Sequence, residues 1–222
     1  MLGLDFTLVD WEEVLTATLD TLRMLLASSV FAVLIGLPIG VMLYMWSRSS
    51  SGWARAGYSV LSFVVNILRS VPFIILIVAL IPITKVIVGQ SYGVLGTIPP
   101  LVIGAAPFFA RLVETALSEV DKGVIEAAQA MGSSTKQVVL RVLLPEARPG
   151  LIAAVTITIV TLVSYTAMSG LVGGGGLGDL AIKYGYNRYE TEVMLVAVVL
   201  MILLVQLLQM AGDRIVRHYT RK

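Results

Sequence analysis

Among the stretches of this chain that carry no charged side chain for twenty residues or more are Met24–Ser47, Gly150–Gly178 and Val193–Gly212. About 20 apolar residues let a helix cross a hydrocarbon core ~30 Å thick. Within that layer, only helices and closed barrels satisfy their own backbone hydrogen bonds. The runs are too long and too uniform for alternating strands, so they predict membrane-spanning helices over 24–47, 150–170 and 193–212.

Two further spans are expected between them. Ala56–Thr84 contains one charge, Arg69. An arginine at mid-bilayer costs about 2.5–3.5 kcal/mol on insertion scales. The second span is therefore expected at about 65–85, with Arg69 near the surface that already bears Arg48 and Arg55. There Arg69 is either a snorkelling anchor or a functional charge. The third span is expected at 97–117, with Pro99 and Pro100 at its start and Arg111 and Glu114 paired three residues apart. Only 14% of the residues are charged, against about 25% in an ordinary soluble domain. The fold class is an all-α integral membrane protein of five spans, one domain over residues 1–222.

The intervening segments are read more simply. Residues 1–23 suggest a short helix lying along the membrane, or a disordered end, with Trp11 as an interfacial anchor. No removable signal peptide is expected, since the first residues are acidic where a signal is basic. Gly36 and Gly40 flank Leu37–Ile39 in a small-xxx-small pattern that lets another helix approach closely, and Pro38 is a possible kink. Lys85–Gly96 reads as a loop. The run Gly173–Gly176 lacks the Lys-Ser or Lys-Thr of a nucleotide loop and is read as a tight turn or re-entrant segment. In the fourth span Thr158, Thr161, Tyr165 and Met168 follow +3, +4, +3 spacing and share one face. Such a stripe either hydrogen-bonds a neighbouring helix or lines a cavity; it is the candidate pathway or gate.

Five spans put the termini on opposite sides. Eleven of the sixteen basic residues then fall on the side of the Arg48–Arg55 loop and the C-terminus: Arg48, Arg55, Arg111, Lys122, Lys136, Arg141, Arg148, Arg214, Arg217, Arg221 and Lys222. The positive-inside rule makes that side cytoplasmic and the N-terminus periplasmic. The net charge of +2 suggests no nucleic-acid partner. The chain has no cysteine, which excludes disulfides, thiol catalysis and cysteine metal sites. No carboxylate lies deep inside a well-assigned span, Glu114 and Glu119 being near the cytoplasmic end of the third, although intramembrane carboxylates usually mark proton or sodium coupling. No nucleotide loop, metal-ligand cluster or catalytic constellation is present. Catalytic and metal residues are therefore assigned as none, and the energy for any transport must come from another polypeptide.

That absence gives meaning to the polar interval 120–148. Asp121 can cap a first short helix, with Val124, Ala128 and Met131 on one face. Gly132 can take the left-handed conformation that ends it. Ser134 with Gln137 forms a capping box for a second helix, which Pro145 is expected to end. An amphipathic elbow at a membrane surface suits docking into a groove on a soluble partner. An ion-coupled secondary transporter and a non-transporting scaffold remain as alternatives: the first lacks its carboxylate, and the second has no need of the stripe or the glycine turn.

The elbow also carries a pattern. Glu126-Ala127-Ala128, three residues, Gly132, nine residues, then Val142-Leu143-Leu144-Pro145 resembles the EAA motif of bacterial ABC importer permeases, EAA-x3-G-x9-I-x-L-P, with only Val142 in place of isoleucine. From about residue 20 to 222 the chain resembles the methionine importer permeases of that class, at 35–40 (IGLPIG), 69–76 (RSVPFIIL), 104–108 (GAAPF), 165–168 (YTAM) and 211–217 (AGDRIVR). The resemblance implies a type I ABC importer permease fold in a bacterial cell inner membrane. It implies that Glu126, Ala127, Ala128, Gly132, Val142, Leu144 and Pro145 seat the elbow on an ATPase. The implied assembly is a homodimer with two ATP-binding subunits, which hold the ATP and Mg, and a periplasmic methionine-binding protein. This chain has no cofactor of its own. Substrate identity, D- or L-methionine or both, rests on the resemblance alone, and a permease for another amino acid in the same class is the alternative.

Overall fold

The computed structural model describes residue 7 and residues 9–220, and no strand occurs among them. Asp5, Arg221 and Lys222, which entered the charge reading, lie outside the described residues. The chain begins with α1 (Trp11–Ser47), α2 (Gly52–Ser70), α3 (Phe73–Ala79), α4 (Ile81–Val88) and α5 (Gly93–Ser118). Then come α6 (Lys122–Ala130), α7 (Thr135–Val138), α8 (Leu144–Glu146), α9 (Arg148–Ser169), α10 (Gly176–Leu180) and α11 (Thr191–Thr220). Helices α1, α5, α9 and α11 are each long and apolar enough to cross a membrane. The pair α2 and α3, bent by 102° at its break, makes a fifth crossing if counted as one.

The expected in-plane segment at the N-terminus is instead continuous with the first span. Asp10 caps α1, its carboxylate accepting from the Glu12 and Glu13 N–H groups at 3.0 and 3.2 Å. With its orphan donors satisfied, the helix runs 37 residues through Pro38 to Ser47 without a break. The expected loop at 85–96 is shorter, because α4 extends to Val88 and ends at Gly89 with φ +80°. Helix α5 starts at Gly93, so Pro99 and Pro100 lie inside it rather than at its start.

Packing centres on α1 against α5. A Cβ added at Gly36 would stand 2.7 Å from the Ala106 carbonyl oxygen, and one at Gly40 would stand 2.5 Å from that of Ala110. Only hydrogen fits there, as the small-xxx-small spacing predicts. Three apolar layers then stack along the bundle. The layer near the α1 N-terminus joins Ala17 to Leu177, Val193 and Ala197. The middle layer joins Met24 and Ala32 to Phe73, Leu101, Ala105 and Leu162. The layer near the elbow joins Tyr44 to Phe109, Val113, Leu143 and Ala154.

The glycine run ties three long helices together at the end away from the elbow. Gly173, Gly175 and Gly176 all have φ between +71° and +80°, which glycine alone adopts cheaply. The Gly93 N–H donates to the Gly173 carbonyl at 2.9 Å, and the Thr97 hydroxyl donates to the Gly174 carbonyl at 3.2 Å. The Leu177 N–H donates to the buried Thr21 hydroxyl at 2.8 Å. The chain thus turns back, and α10 packs on α1 and α9, as a re-entrant reading expects.

Gly40→Leu should overpack the α1–α5 contact and cost at least about 1–3 kcal/mol. A lowered thermal midpoint in detergent checks this. Gly52→Leu, where an added Cβ meets nothing within 4 Å, should leave the midpoint nearly unchanged.

Candidate functional site

Two regions hold the residues singled out above. The first is the elbow. Asp121 caps α6 by accepting from the Gly123 N–H at 2.6 Å. Gly132 forms the corner at φ +82°. The Ser134–Gln137 capping box is complete: the Ser134 N–H donates to Gln137 Oε1 at 2.8 Å, and the Gln137 N–H to Ser134 Oγ at 3.4 Å. The far end differs from expectation. Pro145 does not stop the second helix. A π-helical turn over Val139–Leu143 carries the chain into α8, with Pro145 in its first turn where no N–H is required. Helix α9 follows directly after Ala147. The elbow is therefore joined to the fourth long helix by nearly continuous helix rather than by a loose linker.

Its faces are distinct. Ala128, Val138 and Leu143 are buried, while Ile125, Val139 and Leu144 pack on the inner core layer. Val142 and Pro145 are half-buried. On the other side Val124, Met131 and Leu140 are exposed, Met131 at 80%. Val124 and Met131 thus do not share the buried face with Ala128. Glu126 and Ala127 are exposed. Glu126 also lines a cleft of about 330 Å³ between the elbow and the end of α1, alongside Arg48 and Lys122. A self-contained chain gains nothing by presenting apolar side chains on a polar elbow, and such a face is suited to a partner surface.

The second region is the open side of α9. Thr158 is buried and its hydroxyl donates to its own helix, to the Ala154 carbonyl at 2.8 Å. Thr161 likewise donates to Ile157 at 2.8 Å. Neither hydroxyl bonds a neighbouring helix. Tyr165 stacks on Phe73, ring centroids 4.3 Å apart and planes 2° apart. The stripe is thus an edge: Thr158 and Tyr165 face the packed side, while Thr161 and Met168 border the open one. Ile157, Ser164, Met168 and Leu171 form the exposed face. Those residues repeat at +7, +4 and +3, a signal present in the sequence but obscured by attention to the hydroxyls.

Between the two regions lies a polar clamp. Arg111 pairs with Glu114 at 2.5 Å, as the i, i+3 spacing predicts. The Arg111 guanidinium also donates to the Ser62 hydroxyl and to Asn66 Oδ1, the latter at 3.0 Å. These contacts fasten the otherwise exposed α2, whose only buried residue is Val65, to α5. Ser62, Asn66 and Arg69 at +4 and +3 on α2 were the sequence signal for this clamp.

A transport permease is the class this architecture fits: crossing helices, one open helical face, and a structured polar corner with an exposed apolar surface. Comparison with known proteins agrees. Residues 36–222 match the family described as binding-protein-dependent transport system inner membrane component, and the chain belongs to that family. It is a multi-pass component of the bacterial inner membrane and a transport permease rather than an ATPase. It is 54% identical over 204 residues to the D-methionine transport system permease protein MetI of Escherichia coli K12, covering 91% of this chain and 94% of that one. It is 51% identical to the probable MetI of Vibrio cholerae, covering 92% and 91%. It matches a chain of the MetNI methionine ABC transporter, solved in an inward-facing conformation, with TM-score 0.89 and 52% identity over 94% of this chain and 96% of that one.

Arg111→Ala should leave Glu114, 13% exposed, without its partner and free α2 from α5. A loss of about 1–3 kcal/mol is expected, read as a lower thermal midpoint and faster proteolysis at the 48–51 loop. Asn66→Ala should cost less.

Proposed function

We propose that this chain is the membrane-spanning subunit of an ATP-driven methionine importer, acting as a homodimer. The observation that carries the reading is the elbow: its EAA-type residues place Ala128 inward and an apolar surface outward, on a helical arm continuous with α9. Five spans, with α2, α3 and α4 forming one broken crossing, put the N-terminus in the periplasm and the elbow and C-terminus in the cytoplasm. The basic residues near the elbow support that orientation.

Two ATP-binding subunits, holding ATP and Mg, each receive one elbow. Ala128 roots it and Leu144 with Val142 and Pro145 stiffen its exit, while Glu126, Ala127 and Gly132 form the contact side. When the ATPases close, the π-turn and α8 pass the displacement into α9, and rigid helices tilt between inward-open and outward-open arrangements. The open face of α9 meets its counterpart in the second copy, so Thr161 and Met168 border the solute path, with Thr158 and Tyr165 supporting from behind. Met168, 43% exposed and conformationally adaptable, narrows the path as a pair across the two-fold axis. A periplasmic binding protein delivers D-methionine, L-methionine or both. The names of the relatives support methionine as the solute.

Gly132→Val tests the coupling. No atom lies within 4 Å of an added Cβ there, so the penalty comes from φ +82° rather than from a clash, about 1–2 kcal/mol at one corner. The variant should assemble yet hydrolyse ATP with reduced uptake; normal uptake per ATP would reject the elbow as the coupling element. Met168→Ala should raise ATP hydrolysis without matching uptake, measured in proteoliposomes; unchanged transport and unchanged uncoupled hydrolysis would remove the gate assignment.

A further inference from the structure

Arg69 lies beside α5. Its guanidinium lies over the Phe108 ring, 5.8 Å from the centroid. A charge on a membrane-crossing segment is stabilised by a partner or a wet cavity. Among the described residues its ion-pair partner is absent: the pairs are Arg23–Asp20, Arg111–Glu114 and Lys183–Glu13.

A cavity lies beside it. About 240 Å³ in volume, it is lined by Arg69, Phe73, Leu76, Gly104, Phe108 and Tyr165. It exists because α2 breaks at Val71 and Pro72, bending 102° before α3, and because residue 104 has no side chain. A Cβ at Gly104 would come within 3.3 Å of the Phe73 ring and 3.4 Å of Leu76. The lining combines one cation with three aromatic rings, two leucines and a valine. Drug-sized pockets are about 300–1,000 Å³, so this one suits a smaller solute. A small organic acid with an apolar tail matches both parts of the wall, and sulfur against ring edges is favourable. Tyr165 brings α9 to the cavity wall.

We propose that this cavity is a transient solute site in the pathway: Arg69 takes the α-carboxylate of the transported amino acid, and Phe73, Phe108 and Tyr165 hold its side chain. This rests on reading the chain as an amino-acid importer. Slowing of Arg69→Cys labelling by the transported amino acid separates a solute carboxylate from a lipid phosphate.

The absence of native cysteine makes the test direct. The transporter, co-purified with its ATPase, is reconstituted with its binding protein and assayed with a panel of radiolabelled amino acids in parallel. Arg69→Cys should assemble normally and lose uptake about ten- to a hundred-fold, the size expected for a lost charge-assisted bond. A cationic methanethiosulfonate reagent should restore several-fold of the lost uptake, and its sulfonate analogue should not. Transported amino acid should slow the labelling. Wild-type uptake by Arg69→Cys, equal response to both reagents, or labelling indifferent to solute each overturns the proposal. Should Arg69→Cys fail to assemble, Gly104→Val fills the cavity without removing the charge; it should reduce uptake at least several-fold, and unchanged uptake overturns the site. A wild-type transporter that moves another amino acid but not methionine defeats the methionine assignment alone, because the same reagents read the carboxylate contact with that solute.

Discussion

A close contact between backbones organises the bundle. Gly36 and Gly40 on α1 lie against the carbonyls of Ala106 and Ala110 on α5, and the rest of the bundle is built on that pair. In a bilayer, apolar burial does not draw helices together, because lipid tails are as apolar as leucine; close packing does. The α1–α5 pair supplies a rigid post. The glycine turn fastens α9 to it at one end through Thr21, Thr97 and Gly93, and the inner layer around Tyr44, Phe109 and Leu143 fastens the elbow at the other.

With both ends of the post occupied, the movable parts are those that touch it least. Helix α2 holds on through the Arg111 clamp. The open face of α9 is left exposed by the rest of the chain. The two differ in what they carry: α2 ends at Arg69 and the break, whereas α9 grows out of the elbow through a π-turn and α8. A push on the elbow therefore reaches α9 through helix, and α9 in turn borders the cavity through Tyr165. The elbow and the cavity are separate in sequence and linked through α9.

Much of this was legible from residue order. The uncharged runs gave the long helices, the Gly36/Gly40 spacing gave the close approach of α1 to α5, and the Asp121, Gly132 and Ser134–Gln137 chemistry gave the elbow's geometry, because caps and glycine corners are local interactions. What was not legible depended on tertiary context. Insertion cost bears only on the level of Arg69, whereas the cavity beside it depends on a broken helix and three rings brought together from α3, α5 and α9. Helical spacing grouped Thr158 with Met168, though neighbours on α3 and α5 decide where the packed edge of α9 lies. Pro145 signals a helix end locally, and a π-turn upstream absorbs it. The in-plane reading of residues 11–23 weighed their acidic character above Asp10, whose cap starts one continuous helix.

The central claim is that the outward face of the elbow is the seat of an ATP-hydrolysing partner. Its most direct measurement is site-specific crosslinking in the intact membrane, with one cysteine placed in this cysteine-free chain. A cysteine from Met131→Cys, 80% exposed on the elbow, should give a single adduct with the ATP-binding subunit, and nucleotide should change its yield. Val86→Cys, equally exposed on α4 at 86%, should give none. An adduct from Val86→Cys equal to that from Met131→Cys, or no adduct from Met131→Cys in an assembled transporter, would contradict the account.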